Sequence, residues 1–162
     1  MTKTAQQINS SKLQIGDSAP DFSLPATGDK NISLADFKGK KLLIYFYPKD
    51  DTPGCTKQAC SLNESLQALN KLSVAVVGVS KDGVASHEKF TKKFNLDFPL
   101  LSDKDSNMCE RYGVWGERTF MGKKYLGIER SCFLIDENGK VAAVQYGIKP
   151  DEQVAWAMTA AK

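Results

Sequence analysis

The residue with the most chemical scope in this 162-residue chain is Cys55. It follows the loop Lys49-Asp50-Asp51-Thr52-Pro53-Gly54 and opens a stretch of helical periodicity. The first backbone N–H groups of a helix have no internal partner, and the helix dipole adds partial positive charge there. Such a position favours a thiolate, the nucleophilic form of cysteine. Thr52, three residues earlier, has a hydroxyl that could cap the helix or point at a bound oxygen. Cys60 lies five residues beyond Cys55, which in a regular helix separates the two Cα atoms by about 8.6 Å. A disulfide needs about 4.4–6.8 Å, so a reaction between these two cysteines requires the first turns of the helix to unwind.

The remaining candidates carry less. Cys132 falls in a strand pattern as a small buried residue, and Cys109 on a short helix has no catalytic context, so both read as structural. His87, the only histidine, sits beside the apolar stripe Val84, Phe90, Phe94 and reads as a core-edge residue rather than a ligand. The Cys55–Cys60 spacing is not the short pair of a zinc site, and no metal is expected.

These side chains need a scaffold. Lys41–Tyr47 is a continuous apolar and aromatic run that suits a buried central strand, ended by Pro48. The helix after it carries the stripe Ala59, Leu62, Leu66, Leu69, with Cys55 in phase. Asp21–Leu24 and Asn31–Leu34 are short strand candidates around a Gly28-Asp29 turn. Val74–Val79 reads as a strand, Val84–Phe94 as a helix, Phe98–Leu101 as a strand and Asn107–Tyr112 as a short helix. Cys132–Asp136 and Lys140–Tyr146 form a hairpin around Asn138-Gly139, and Asp151–Ala161 is a closing helix. This order predicts an α/β three-layer domain with a central mixed sheet, compatible with a thioredoxin-like fold, and an N-terminal β-hairpin extension. Residues 1–12 read as a flexible tail and 13–162 as a single domain.

Composition narrows the function classes. Hydrophobic residues at 41% and charged residues at 25% are ordinary for a soluble globular protein. No apolar run reaches the length of a membrane span, and the polar N-terminus lacks a signal-peptide core, so no membrane partner and a cytoplasmic location are expected. The formal charge of +3 is dispersed, with Lys40–Lys41, Lys92–Lys93 and Lys123–Lys124 as isolated pairs, so nucleic acid is not an expected partner. In that compartment four cysteines do not predict a structural disulfide framework.

Pro48, Thr52 and Cys55 match the Pro-x-x-x-Thr-x-x-Cys motif of the peroxiredoxins. The string Tyr47-Pro48-Lys49-Asp50-Asp51-Thr52-Pro53-Gly54-Cys55-Thr56 resembles the peroxiredoxin Q branch, also called bacterioferritin comigratory protein. So do Tyr112-Gly113-Val114-Trp115-Gly116, Phe120-Met121-Gly122, and Arg130 before Phe133-Leu134-Ile135-Asp136. The resemblance runs from Leu13 to the C-terminus. It implies a thiol-dependent peroxidase acting on hydrogen peroxide and organic hydroperoxides, with Cys55 as the peroxidatic cysteine that becomes a sulfenic acid. Arg130 would hold the thiolate charged and bind the departing oxygen, Thr52 would hydrogen-bond the peroxide, and Pro48 would shield the sulfur. Cys60 would be the resolving cysteine, giving an intramolecular disulfide that thioredoxin or a similar dithiol reduces. The resemblance favours a monomer and implies no cofactor.

Position 132 departs from the family pattern, which has Thr or Ser there. Its side chain is expected to alternate with that of Arg130, leaving open a second thiol near the site. Two other readings compete. A thiol–disulfide oxidoreductase on the same fold would want Cys-x-x-Cys, but position 58 is Gln58. A redox-sensitive holdase would use the fold without turnover.

Overall fold

A computed structural model describes residues 12–162. Most of the expected tail therefore lies outside the described residues. Its last member, Lys12, is placed, with Nζ 2.9 Å from Glu129 Oε1 and 3.9 Å from the centre of the Tyr146 ring.

The chain runs β1 (Ser23–Ala26), β2 (Lys30–Ser33), a 3-10 turn (Leu34–Phe37), β3 (Lys41–Phe46), α1 (Pro53–Glu64), α2 (Leu66–Lys71), β4 (Val74–Ser80) and α3 (Val84–Phe94). It continues through β5 (Leu100–Ser102), α4 (Asn107–Arg111), β6 (Trp115–Phe120), β7 (Lys123–Ile128), β8 (Ser131–Ile135), β9 (Val141–Tyr146) and α5 (Gln153–Ala161). Seven strands make one sheet in the order β2-β1-β5-β4-β3-β8-β9. The pairs β3–β4 and β4–β5 are parallel, and the others antiparallel, so the sheet is mixed as expected. The N-terminal hairpin extends this sheet at one edge, as expected, joined through Ala26 opposite Leu101.

Central β3 shows why a continuous apolar run was required. Leu43, Tyr45 and Tyr47 face one core with Cys55, Ala59, Leu62, Leu69, Phe90 and Ala157, while Leu42, Ile44 and Phe46 face the other with Met108, Tyr112 and Phe133. Both faces are covered, giving three layers, so alternation with polar residues has no place here. Gly78 on β4 serves the first core: a Cβ there would come within 2.8 Å of Tyr45 Cζ and 2.9 Å of Leu100 Cδ2.

Three readings need correction. The stripe Ala59–Leu69 spans two helices, because the chain breaks at Ser65. The strand expected at Phe98–Leu101 begins instead at Leu100, after Pro99, which has no N–H for a ladder. The β6–β7 ribbon was not foreseen. Its faces are largely exposed, so neither strand has a hydrophobic period to read. Its one local signal is the two-residue turn Met121-Gly122, both at positive φ (52° and 80°), the geometry of a type I′ hairpin.

Candidate active site

Where β3 ends, Pro48 and Lys49 emerge exposed and the loop turns back through Asp51 (φ 56°) to Thr52. Thr52 occupies the N-cap position with extended backbone, and Pro53 at the first helical position presets the helical φ. Thr52 does not cap the helix with its side chain. Its hydroxyl instead donates to the Lys49 carbonyl at 3.0 Å, leaving its oxygen lone pairs unused by the cap. Cys55 thus sits in the first turn of α1, 1% exposed.

Arg130 arrives from the other side of β3. Antiparallel pairing sets Phe46 opposite Ser131, so the residue just before β8 lies beside the exit of β3 and the start of α1. Its Nη1 donates to Cys55 Sγ at 3.3 Å and to Gln58 Oε1 at 2.7 Å. Gly54 permits this approach: a Cβ there would lie 3.1 Å from Arg130 Nη2. A guanidinium and a helix N-terminus therefore both bring positive charge to one sulfur.

A polar chain runs inward from Arg130. Gln58 Nε2 donates to Gln153 Oε1, and the Cys132 thiol donates to the same oxygen at 3.0 Å. Gln58, Cys132 and Gln153 are all fully buried. Cys132 is therefore on the same side as Arg130, correcting the expected alternation, since strand residues two apart share a face. Burial pushes its thiol far up, and Arg130 only partly opposes this. Cys109 is also buried, and its backbone N–H donates to Asp103 Oδ2 at 2.8 Å. Burial first and the Asp103 carboxylate second push that thiol up.

Cys60, on the same intact helix as Cys55, is half-buried, and both are free thiols. Burial, then the Glu64 carboxylate, push the Cys60 thiol up. His87 is not at the core edge but 0% exposed, between Asp50 and the Leu101 carbonyl. Asp50, His87, Gln58 and Gln153 were not singled out for a role at the site. Only the buried position of Gln58, one residue before Ala59 in the apolar stripe, offered a local signal.

A thiol held under an arginine at a helix start, on a thioredoxin-like sheet, defines a thiol-dependent peroxidase of the peroxiredoxin class. The AhpC/TSA family matches residues 15–144, and the chain belongs to it. A putative peroxiredoxin bcp of Coxiella burnetii is 52% identical over 143 residues, covering 88% of this chain and 95% of its own length. Peroxiredoxin Bcp of Escherichia coli K12 is 50% identical over 132 residues, covering 82% and 85%. Among solved structures, a Cys-to-Ser mutant of Xanthomonas campestris peroxiredoxin Q superposes with a TM-score of 0.82 at 37% identity, covering 86% of this chain and 88% of its own. A Cys-to-Ser mutant of Xylella fastidiosa PrxQ, at a different cysteine, gives 0.84 at 32%, covering 93% and 98%.

Proposed function

We propose that Cys55 is the peroxidatic cysteine, that it reduces hydrogen peroxide and organic hydroperoxides, and that Cys60 resolves it. The observation that carries this reading is the Arg130 guanidinium 3.3 Å from Cys55 Sγ at the start of α1. The thiolate attacks one peroxide oxygen, the O–O bond breaks, and the leaving oxygen departs as water or alcohol after taking a proton. Arg130 donates to the oxygen on which charge grows. Thr52, with free lone pairs, accepts from the peroxide hydroxyl, and exposed Pro48 at the loop's start shields the sulfur. The product is a Cys55 sulfenic acid.

Cys60 thiolate then attacks that sulfur, hydroxide leaves as water, and the Cys55–Cys60 disulfide forms. Regular helix geometry holds the two Cα atoms about 2 Å too far apart, so α1 unwinds from its N-terminal end. Unwinding exposes the disulfide to thioredoxin or a similar dithiol, which restores both thiols. The near-complete burial of Cys55 disfavours direct exchange with bulky protein disulfides, which separates this reading from a disulfide oxidoreductase. We place the enzyme in the cytoplasm as a monomer.

The test is peroxide consumption coupled to thioredoxin and its reductase. Cys55→Ser is expected to lose activity to below a few per cent of wild type, since a serine hydroxyl is not ionised at neutral pH. Substantial turnover by that variant overturns the assignment.

A further inference from the structure

The loop from Pro48 to Thr52 has one buried member. Pro48, Lys49 and Asp51 are exposed and Thr52 is half-buried, whereas Asp50 is 7% exposed. Every polar atom of Asp50 that faces inward is taken. Tyr47 Oη donates to Oδ1 at 2.5 Å, Ser86 Oγ donates to Oδ2 at 2.8 Å, and His87 Nδ1 lies 2.7 Å from Oδ2. The Asp50 backbone N–H donates to Asp82 Oδ2 at 2.8 Å, and Asp82 is itself held by Ser80 Oγ at 2.8 Å.

The other ring nitrogen, His87 Nε2, is 2.8 Å from the Leu101 carbonyl oxygen, which only accepts. His87 thus bridges two acceptor oxygens, the Asp50 carboxylate on one side and the Leu101 carbonyl on the other. Burial acts to raise the Asp50 carboxyl, but the hydrogen bonds from His87 and Tyr47 outweigh it and leave the group below its usual range. Breaking a buried hydrogen-bonded pair leaves the remaining partner desolvated and unsatisfied. This one joins α3 to the loop two residues before Thr52.

We propose that the Asp50–His87 pair is a positioning element for the peroxidatic site, in which His87 Nδ1 holds the loop so that Thr52 and Cys55 stand in reacting geometry. It rests on the assignment of Cys55 as the attacking thiol. A displacement near 1 Å in such a loop is enough to cost a large part of the rate.

The two nitrogens can be tested separately. In His87→Asn the side-chain amide reaches the Nδ1 position and still donates to Asp50. In His87→Gln it reaches the Nε2 position and keeps only the Leu101 contact. Both empty similar space, so both are expected to lose thermal stability to a similar degree. The measured quantity is the second-order rate of Cys55 sulfenic acid formation with hydrogen peroxide, followed by rapid quench and mass spectrometry. We expect His87→Gln to fall about tenfold or more and His87→Asn to stay within about threefold of wild type. The rate of disulfide formation from the sulfenic acid is expected to change in neither.

Equal peroxide rates in the two variants, whether both low or both normal, overturn the proposal. Should neither variant fold, Ser86→Ala removes one bond to Asp50 Oδ2 from a half-buried position. It is expected to slow sulfenic acid formation about threefold, and an unchanged rate is again a refutation. Cys55→Ser run alongside separates the two failures. If it still turns over, the Cys55 assignment has failed; if it is inactive while the His87 variants match each other, only the positioning role has.

Discussion

Gln58→Ala should move the two halves of the catalytic cycle in opposite directions. Gln58 is fully buried, and its Oε1 accepts from Arg130 Nη1 at 2.7 Å. Unwinding α1 as far as Cys60 withdraws Gln58 from that contact, so the bond stabilises the wound helix and not the unwound one. A hydrogen bond to a charged group contributes about 1.5–3 kcal/mol, so its loss favours opening by about 10- to 150-fold. If opening limits disulfide formation, that step accelerates towards this factor. Peroxide attack slows, because Arg130 loses the brace that sets it over Sγ. Overoxidation at high peroxide should fall, since the sulfenic acid survives for less time. Rapid-quench mass spectrometry resolves the two steps, and hydrogen exchange over residues 55–64 reports the opening directly. Unchanged protection together with unchanged disulfide formation, with a Cys55–Cys60 bond confirmed by peptide mapping, would refute the reasoning.

Arg130→Lys supplies a charge without the rigid guanidinium plane that fixes Nη1 between Cys55 and Gln58, so sulfenic acid formation should fall about tenfold or more, and a rate near wild type would remove Arg130 from the mechanism. In the proposed cycle resolution needs Cys60 as thiolate, and its thiol is pushed up, so disulfide formation should speed as pH rises through the thiol range. Glu64→Gln removes a like charge one helical turn away, worth about 0.2–0.5 kcal/mol, and should move that profile to lower pH with about a 1.5- to 2-fold gain at neutral pH; a shift to higher pH contradicts it. Gly78→Ala forces a methyl against Tyr45 and Leu100 and should destabilise the fold by about 1–3 kcal/mol in a denaturant titration; an unchanged midpoint contradicts it.

Local chemistry made much of this protein legible in its sequence. The run Lys41–Tyr47 is apolar on both faces because it is covered on both, Pro48 ends it, and Pro53 starts a helix that brings Cys55 into its first turn. The same helical repeat yields the mismatch between Cys55 and Cys60 without any coordinates. Each of these depends on neighbours within a few residues, where periodicity and backbone restriction act. The contacts that make a site out of that helix start lie far apart in the chain. Arg130 reaches Cys55 across 75 residues through the antiparallel register of β3 and β8. Gln58 meets Gln153 across 95, and Asp50 meets His87 across 37. A lone histidine beside an apolar stripe looks the same in sequence whether it stops at the core edge or penetrates to a buried carboxylate. The ribbon β6–β7 escaped for the opposite reason, having little buried face to impose a pattern on its residues. Local periodicity determined most of the elements and put Cys55 at a helix start; strand register and long-range packing decided which charges and amides surround it.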